Sequence, residues 1–301
     1  MMGMLKREIN PRHEKGYYVA VIGFVIPIVI FFTVFQIYPL LKNVQLSFSN
    51  IKNSPTLNNF KVILFGRSFW QSTWITVRFS LISVSLEMSI GFIFALLLNQ
   101  SFRGRKAVRT IFLIPWALPT AIMAVGWKFL LQHSYGPIPW ILYWLHIVKS
   151  PPYFLSMPRM AFASIIIADV WKTVPFCALL LLAGLQAIPK DLYEAMEVDG
   201  AGWFFKLRRL TLPLMLPAIT VTFTFRFLQA FGVFDLIWVL TGGGPGNATM
   251  ALSPFIYQQT FNWLNIRSGA ATAVMTSIYI MGLVIVVWLT RRHVGRRYAI
   301  Q

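Results

Sequence analysis

Seven charged side chains lie inside apolar segments of this 301-residue sequence, apart from Arg109 at the junction of one segment with its loop. They are Arg78, Glu87, Lys128, Asp169, Lys172, Arg226 and Asp235. Charges within membrane-spanning segments are costly, and they usually face a bundle interior or a water-filled cavity. Asp169 and Lys172 are three residues apart, so they share a helix face and could form an ion pair. This pattern favours a polar cavity inside a bundle of apolar helices.

A second distinctive segment, residues 188–217, is rich in acidic residues. Four of the nine acids of the chain lie here, namely Asp191, Glu194, Glu197 and Asp199. Pro189 would end the preceding helix, Asp191 is placed as an N-cap, and Glu194 completes a capping-box spacing. Gly200 supplies the left-handed residue that ends a helix. The spacing therefore predicts a short helix between Asp191 and Gly200.

The predicted short helix has an apolar stripe and an acidic face. The stripe, at helical spacing, consists of Leu192, Ala195, Met196 and Val198. Such a helix would fit a groove on a partner protein. A helix resting on the membrane surface is the alternative, but acids outnumber bases within residues 190–200, which argues against contact with anionic lipid.

Six apolar segments are long enough to cross a hydrocarbon core of about 30 Å, which takes about 20 helical residues. They cover residues 17–41, 70–99, 107–131, 161–185, 212–240 and 269–290. Helices are expected because lipid cannot satisfy exposed backbone groups. The predicted fold class is an all-α integral membrane protein. Its predicted parts are a cytoplasmic N-terminal segment 1–16, a six-helix domain 17–290 with a cytoplasmic loop 186–211, and a basic cytoplasmic tail 291–301.

The basic residues predict the orientation of these helices. Four segments on one side of the membrane, with their helix junctions, hold 16 of the 27 Lys and Arg residues, and the three loops on the other side hold seven. The four segments are the N-terminus, residues 100–106, residues 186–211 and the C-terminal tail. The positive-inside rule then puts both termini in the cytoplasm. The first apolar segment is too long for a secretory signal and lacks a small-residue cleavage site after it, so a retained helix is expected.

The composition excludes several classes of protein. Hydrophobic residues make up 57% of the chain and charged residues 12%, whereas soluble domains carry about 25% charged residues. The net charge of +18 comes from bases that punctuate apolar runs, which is not the pattern of a nucleic-acid-binding face. The lone Cys177 offers no cysteine metal site. No zinc helix, nucleophile elbow or phosphate loop occurs, so we expect no enzyme activity, no metal and no bound cofactor.

Residues 188–217 resemble the EAA loop of ABC-importer permeases, which carries Glu-Ala-Ala, then Gly, then a downstream Leu-Pro. The matching positions are Glu194, Ala195, Met196, Asp199, Gly200, Ala201, Leu210, Leu212 and Pro213. Met196 replaces the usual Ala and Leu210 the usual Ile. The resemblance implies that this loop, with Asp191 at its start, inserts into a cleft on a separate ATPase. That partner would bind ATP and Mg, and the loop would transmit its ATP-driven closure to the membrane helices.

The similarity extends to the carbohydrate branch of these permeases, which includes maltose and trehalose importers. Three segments carry it: 115–120 (PWALPT), 169–185 (DVWKTVPFCALLLLAGL) and 223–245, which ends in VLTGGGP. The resemblance implies a type I permease fold in the cytoplasmic membrane of a prokaryote, and a disaccharide such as trehalose or maltose as substrate. The implied partners are a second permease, two copies of the ATPase and an extracytoplasmic sugar-binding protein.

Sugar contacts in the maltose-type members come from three helices. Motif alignment carries them to Trp116, Thr120, Asp169, Lys172, Thr173, Phe176, Arg226, Ala230 and Val233. Several of these differ from the residues of the maltose family, so the resemblance implies the place of the cavity more than its specificity. Gln229 joins them on chemical grounds, because amide and charged groups bind sugar hydroxyls. Trp116 and Phe176 offer aromatic faces for the C–H surface of a sugar ring.

Three alternatives remain open. Asp169 and Arg226 could instead belong to a structural ion-pair network, a role we favour for Arg78, Lys128 and Asp235 near the helix ends. The substrate could be a glycerol phosphate bound by bases, although Asp169 would repel an anion. An ion-coupled secondary transporter would need no docking loop and commonly contains paired repeats, of which none is evident in the sequence.

Overall fold

The computed structural model describes residues 11–298, with side chains described for residues 22–286 and Leu289. Most of the predicted segment 1–16 and the end of the predicted tail 291–301 lie outside this part of the chain. Within it the helices are α1 Pro11–Phe32, α2 Tyr38–Ser47, α3 Asn58–Phe65, α4 Arg67–Asn99, α5 Arg105–Phe112, α6 Ile114–Ala117, α7 Thr120–Leu131, α8 Pro137–Trp144, α9 Pro158–Gln186, α10 Lys190–Val198, α11 Trp203–Lys206, α12 Leu212–Phe231, α13 Asp235–Thr241, α14 Leu252–Tyr257 and α15 Ile266–Tyr298. Short π-helical turns at Thr33–Ile37 and Leu207–Thr211 join neighbouring helices, and a third, Gln258–Asn262, follows α14.

Within residues 11–298, five helical segments are long and apolar enough to cross a membrane, and a bent pair of helices makes a sixth if it is counted as one span. The five are Ile22–Ser47, Arg67–Asn99, Pro158–Gln186, Trp203–Phe231 and Ile266–Val286. The predicted all-α fold with six membrane helices is therefore confirmed, with the bent pair counted as one span. The first span continues beyond its predicted end at Leu41 to Ser47.

The third span is bent, which the sequence analysis did not predict. Residues 105–117 and 120–131 meet at an angle of 87°. Pro119 lacks a backbone N–H and disfavours helical geometry in the residue before it, and Leu118 is accordingly extended, with ψ of 136°. The single helix predicted over 107–131 is therefore wrong, and Leu118 and Pro119, which are not helical, join its two halves.

The fifth span also differs from its prediction. Residues 212–240 do not form one helix, because α12 ends at Phe231 and α13 begins at Asp235. Gly232 follows α12, as expected for a residue that weakens helices, and the carboxylate of Asp235 lies in the first turn of α13, where the helix dipole favours negative charge. The break gives the chain a corner beside the bend of the third span, and α13 packs against α7.

Helices α4 and α9 form the most extensive pair of the bundle. Their close approach depends on a small residue, because a Cβ atom on Gly91 would lie 2.9 Å from Cβ of Cys177 and 3.2 Å from the backbone nitrogen of Ala178. Small residues let membrane helices approach in this way. The pair forms the scaffold on which α12 and α7 are packed.

Replacing Gly91 with leucine should lower the free energy of unfolding by about 1–3 kcal/mol, the usual range for overpacking a well-packed interface. The measurement is unfolding of the purified chain in detergent, followed by circular dichroism. Gly282→Leu is the matched control, because a Cβ at Gly282 in α15 meets nothing within 4 Å. Equal losses in both variants would show that the contact between α4 and α9 is not tight.

Candidate functional site

Three charged side chains from three spans meet inside the bundle. Glu87 of α4 accepts two hydrogen bonds from Arg226 of α12, from Nε to Oε2 at 2.7 Å and from Nη2 to Oε1 at 2.9 Å. Nη2 of Arg226 also lies 3.5 Å from Oδ2 of Asp169 in α9. Glu87 is 0% and Arg226 4% exposed. Asp169 lies about 16 Å along α9 from Pro158, so the cluster is far from either end of that helix.

Polar neighbours complete the buried cluster. The hydroxyl of Ser83 lies 2.7 Å from Oδ2 of Asp169 and 3.0 Å from Oε1 of Glu87. Nη1 of Arg226 donates to Oε1 of Gln229 at 2.6 Å. Buried charges are tolerated when they are paired and hydrogen-bonded in this way. The cluster thus ties the second, fourth and fifth spans together, as the ion-pair alternative for Asp169 and Arg226 anticipated.

A cavity of about 330 Å³ adjoins this cluster. Nine of the ten predicted substrate-binding residues line it: Trp116, Thr120, Asp169, Lys172, Thr173, Arg226, Gln229, Ala230 and Val233. The bend of the third span and the corner after α12 supply the backbone that surrounds it. Residues separated by more than 100 positions in the sequence are therefore brought to one place.

The tenth predicted residue, Phe176, stands behind the cavity wall. Its ring stacks on Trp116, with centroids 5.1 Å apart and an interplanar angle of 12°, and it also contacts Phe225 at 5.4 Å. Trp116 is 43% exposed. The arrangement leaves one indole as an accessible aromatic surface and uses Phe176 to support it.

Lys172 does not pair with Asp169, so the ion pair suggested by their spacing is wrong. Its Nζ instead donates to the carbonyl oxygens of Leu118 at 2.8 Å and Trp116 at 3.2 Å. The break at Pro119 leaves these carbonyls without helical partners, and a lysine near a helix C-terminus satisfies them. Lys172 therefore fastens the fourth span to the bend of the third.

Sequence reasoning missed several residues of this site. Gly232 and Phe234 line the cavity because α12 ends early, and Asp235, for which a structural role was favoured, lines it as well. Arg78 lies 5.2 Å from the centre of the Phe162 ring, a cation–π contact that agrees with a structural role. Gly232, which weakens helices, is the sequence feature that could have indicated the break after α12.

The predicted loop helix is present as α10, but its start is not capped as predicted. The helix begins at Lys190, Pro189 precedes it, and no side chain forms an N-cap hydrogen bond. The capping box of Asp191 and Glu194 is therefore wrong, because Pro189 moves the helix start ahead of Asp191. Its end is confirmed: Gly200 has φ of 75°, and the N–H groups of Gly200 and Ala201 bond to the carbonyls of Glu197 and Met196, a Schellman motif.

Two contacts hold α10 against the start of the fifth span. The hydroxyls of Tyr193 and Thr211 are 3.0 Å apart, and Lys206 forms an ion pair with Glu197. Met196 is half-buried, whereas Leu192, Ala195 and Val198 of the predicted apolar stripe are exposed. Glu194 lines an open groove of about 640 Å³ between α10 and the ends of α4 and α9. Helix α10 is thus braced on one side and bare on the other.

The remaining residues of the predicted coupling set lie on this helix or follow it in the chain. Asp191 and Glu194 are exposed on α10, Asp199 and Ala201 lie in the turn after it, and Leu212 and Pro213 begin α12. None of these residues lines the cavity. Helix α12 joins the two regions, because it begins at Leu212 and carries Arg226 and Gln229.

Comparisons with known proteins agree with this architecture. Residues 87–299 match the family described as "Binding-protein-dependent transport system inner membrane component". The trehalose/maltose transport system permease protein MalF of Thermococcus litoralis is 48% identical over 76% of this chain and 77% of its own length. The trehalose transport system permease protein SugA of Mycobacterium tuberculosis is 36% identical over 73% and 69%. The sulfoquinovosyl glycerol transport system permease protein SmoG of Agrobacterium fabrum is 36% identical over 83% and 82%.

Solved structures share the fold. A bacterial ABC transporter that imports the acidic polysaccharide alginate superposes with a TM-score of 0.83 at 23% identity, over 93% of this chain and 98% of that one. A methionine ABC transporter in an inward-facing conformation gives a TM-score of 0.54 at 19% identity, over 74% and 94%. The fold is that of the type I ABC-importer permeases. With the family match over residues 87–299, the chain belongs to the inner membrane components of binding-protein-dependent transport systems, and it is a permease subunit rather than an enzyme.

Proposed function

We propose that this chain is a permease subunit of an ATP-driven sugar importer in the cytoplasmic membrane of a prokaryote, with both termini in the cytoplasm. It forms part of the path for a disaccharide such as trehalose or maltose. The cavity carries this proposal, because polar side chains from three spans converge there beside an accessible indole. Identity of 48% to a permease named for trehalose and maltose supports the same substrate class.

The chemistry of the cavity suits a neutral sugar. The carboxylate of Asp169 and the amide of Gln229 offer hydrogen bonds to hydroxyl groups, and Trp116 offers an aromatic face. A volume of about 330 Å³ is at the small end of the range of about 300–1,000 Å³ for ligand pockets. A second, homologous permease subunit would complete the opposite wall of the path.

The charges near the cavity argue against a glycerol phosphate. Arg226 already has a carboxylate partner in Glu87, and Lys172 donates to backbone carbonyls. Asp169 and Asp235 add negative charge to the lining. An anionic substrate would therefore meet the carboxylates of Asp169 and Asp235, whereas both bases, Lys172 and Arg226, already have partners within the chain.

The loop 186–211 serves as the coupling element. Its exposed α10 docks into a cleft on a separate ATPase, present in two copies, which binds ATP and Mg and supplies the hydrolysis. An extracytoplasmic sugar-binding protein delivers the substrate. The bare outer side of α10 supports this role, and so do its contacts with Lys206 and Thr211 just before α12, because a rigid helix can pass a displacement on to the span it is fastened to.

Reconstitution tests the substrate directly. Proteoliposomes that contain the chain with its partner permease, ATPase and binding protein should accumulate labelled trehalose or maltose when ATP is supplied to the ATPase. Glycerol 3-phosphate should not accumulate. Controls contain ADP in place of ATP. Uptake driven by an ion gradient without nucleotide would contradict the ATP-driven assignment, and uptake of glycerol 3-phosphate would overturn the disaccharide assignment alone.

A further inference from the structure

Glu87 is the most deeply buried acid of the described bundle, and no substrate role was predicted for it. It is 0% exposed and lies on α4 of the second span, whereas the predicted sugar contacts come from the third, fourth and fifth spans. Its two carboxylate oxygens take Nε and Nη2 of Arg226 at 2.7 and 2.9 Å. A two-point contact of this kind fixes the plane of the guanidinium as well as its charge.

The other contacts of Arg226 leave little of it for a ligand. Nη1 donates to Gln229, and Nη2 also faces Asp169. A guanidinium has five N–H donors, and these contacts occupy four of them. Arg226 therefore borders the cavity as a neutralised and oriented group.

We propose that Glu87 sets the charge preference of the cavity: by neutralising Arg226, it makes the site favour an uncharged sugar over an anionic one. Glu87 acts through Arg226, so it is a positioning residue with no substrate contact of its own. This inference rests on the proposed sugar-import function. It predicts that Arg226 becomes an anion-binding group when the charge of Glu87 is removed.

The physical reason is the cost of an isolated buried charge. Without the charge of Glu87, Arg226 loses its two shortest carboxylate contacts and keeps only Asp169, whose Oδ2 lies 3.5 Å from Nη2, so its buried charge is only partly compensated. Glutamine at position 87 keeps the shape of the side chain and one acceptor oxygen, but it removes the charge. Arg226 would then be best satisfied by an anionic group that enters the cavity, such as the phosphate of a phosphorylated sugar.

The test compares binding of trehalose and trehalose 6-phosphate to the assembled permease and ATPase complex without the binding protein. The wild-type complex should prefer trehalose. Glu87→Gln should shift the ratio of the two dissociation constants towards the phosphate by at least about tenfold, as expected for a new charge-assisted contact. Glu87→Asp keeps the charge and should keep the wild-type preference.

A neutral pair guards against a loss of folding. Glu87→Gln combined with Arg226→Gln replaces the closest ion pair with neutral residues, which is often tolerated, and Asp169 keeps its hydrogen bond from Ser83. This double variant has no guanidinium at position 226, so the ratio of its two dissociation constants should not shift towards the phosphate. A ratio that does not change in Glu87→Gln, an equal shift in Glu87→Asp, or a preference for the phosphate in the double variant would overturn the proposal. A wild-type complex that binds neither sugar would instead contradict the proposed function.

Discussion

Replacing Glu194 with lysine is expected to abolish ATP-driven uptake by the assembled importer while the chain remains folded. Glu194 is exposed on α10 and has no described side-chain partner within the chain. Exposed substitutions usually change stability by no more than about 0.5 kcal/mol. A reversed charge inside a complementary interface costs several kcal/mol, because like charges are brought together. Uptake in proteoliposomes and co-purification of the ATPase measure the two consequences.

Two variants control this experiment. Glu194→Gln removes the charge with little change in shape, and its uptake should lie between those of the wild type and Glu194→Lys. Lys106→Glu makes a charge reversal of the same size at an exposed position of α5, outside the loop, and should leave ATPase binding intact. Normal uptake and normal ATPase assembly in Glu194→Lys would remove the coupling role from α10.

The braces of α10 explain how an event at this loop could reach the cavity. Tyr193 contacts Thr211 at 3.0 Å, and the π-helical turn that contains Thr211 leads directly into α12. Helix α12 carries Arg226 and Gln229 in its last two turns. Under the proposed coupling role, a displacement of α10 would reach one wall of the cavity through this continuous helix.

The sequence predicted the membrane helices well because their signal is local. Length and hydropathy locate a span, since about 20 apolar helical residues are needed whatever the neighbouring helices are. The same reasoning failed at Pro119 and Gly232, where it treated broken helices as continuous. Proline and glycine mark a possible break, but whether a membrane helix bends there depends on groups that can satisfy the freed backbone.

Those groups lie far away in the sequence, which is why the site was only partly predictable. Most of the residues that line the cavity followed from motif resemblance, whereas their partners did not. Glu87 and Arg226 are 139 positions apart, and no spacing rule relates them. The spacing of Asp169 and Lys172 even suggested the wrong pair, because a shared helix face does not exclude a better acceptor on another helix.

Replacing Lys172 with methionine is expected to destabilise the empty complex and to lower uptake. Methionine keeps an unbranched chain of similar length but removes both hydrogen bonds to the carbonyls of Trp116 and Leu118. Acceptors left without partners cost about 1–3 kcal/mol when they are buried, and the half-buried position of Lys172 favours the lower part of that range. Thermal unfolding of the sugar-free complex measures this loss.

The sugar-free measurement separates two roles for Lys172. If Lys172 fastens the bend, Lys172→Met lowers the unfolding temperature without sugar, and Lys172→Arg, which retains donors, largely preserves it. If Lys172 were only a sugar ligand, stability without sugar would not change and only the apparent affinity would fall. Lys128→Met is the matched control, because Lys128 is an exposed lysine of α7 in the third span, with no hydrogen bond among the described side chains. An equal loss in Lys128→Met would show that the contacts of Lys172 with the bend contribute nothing specific.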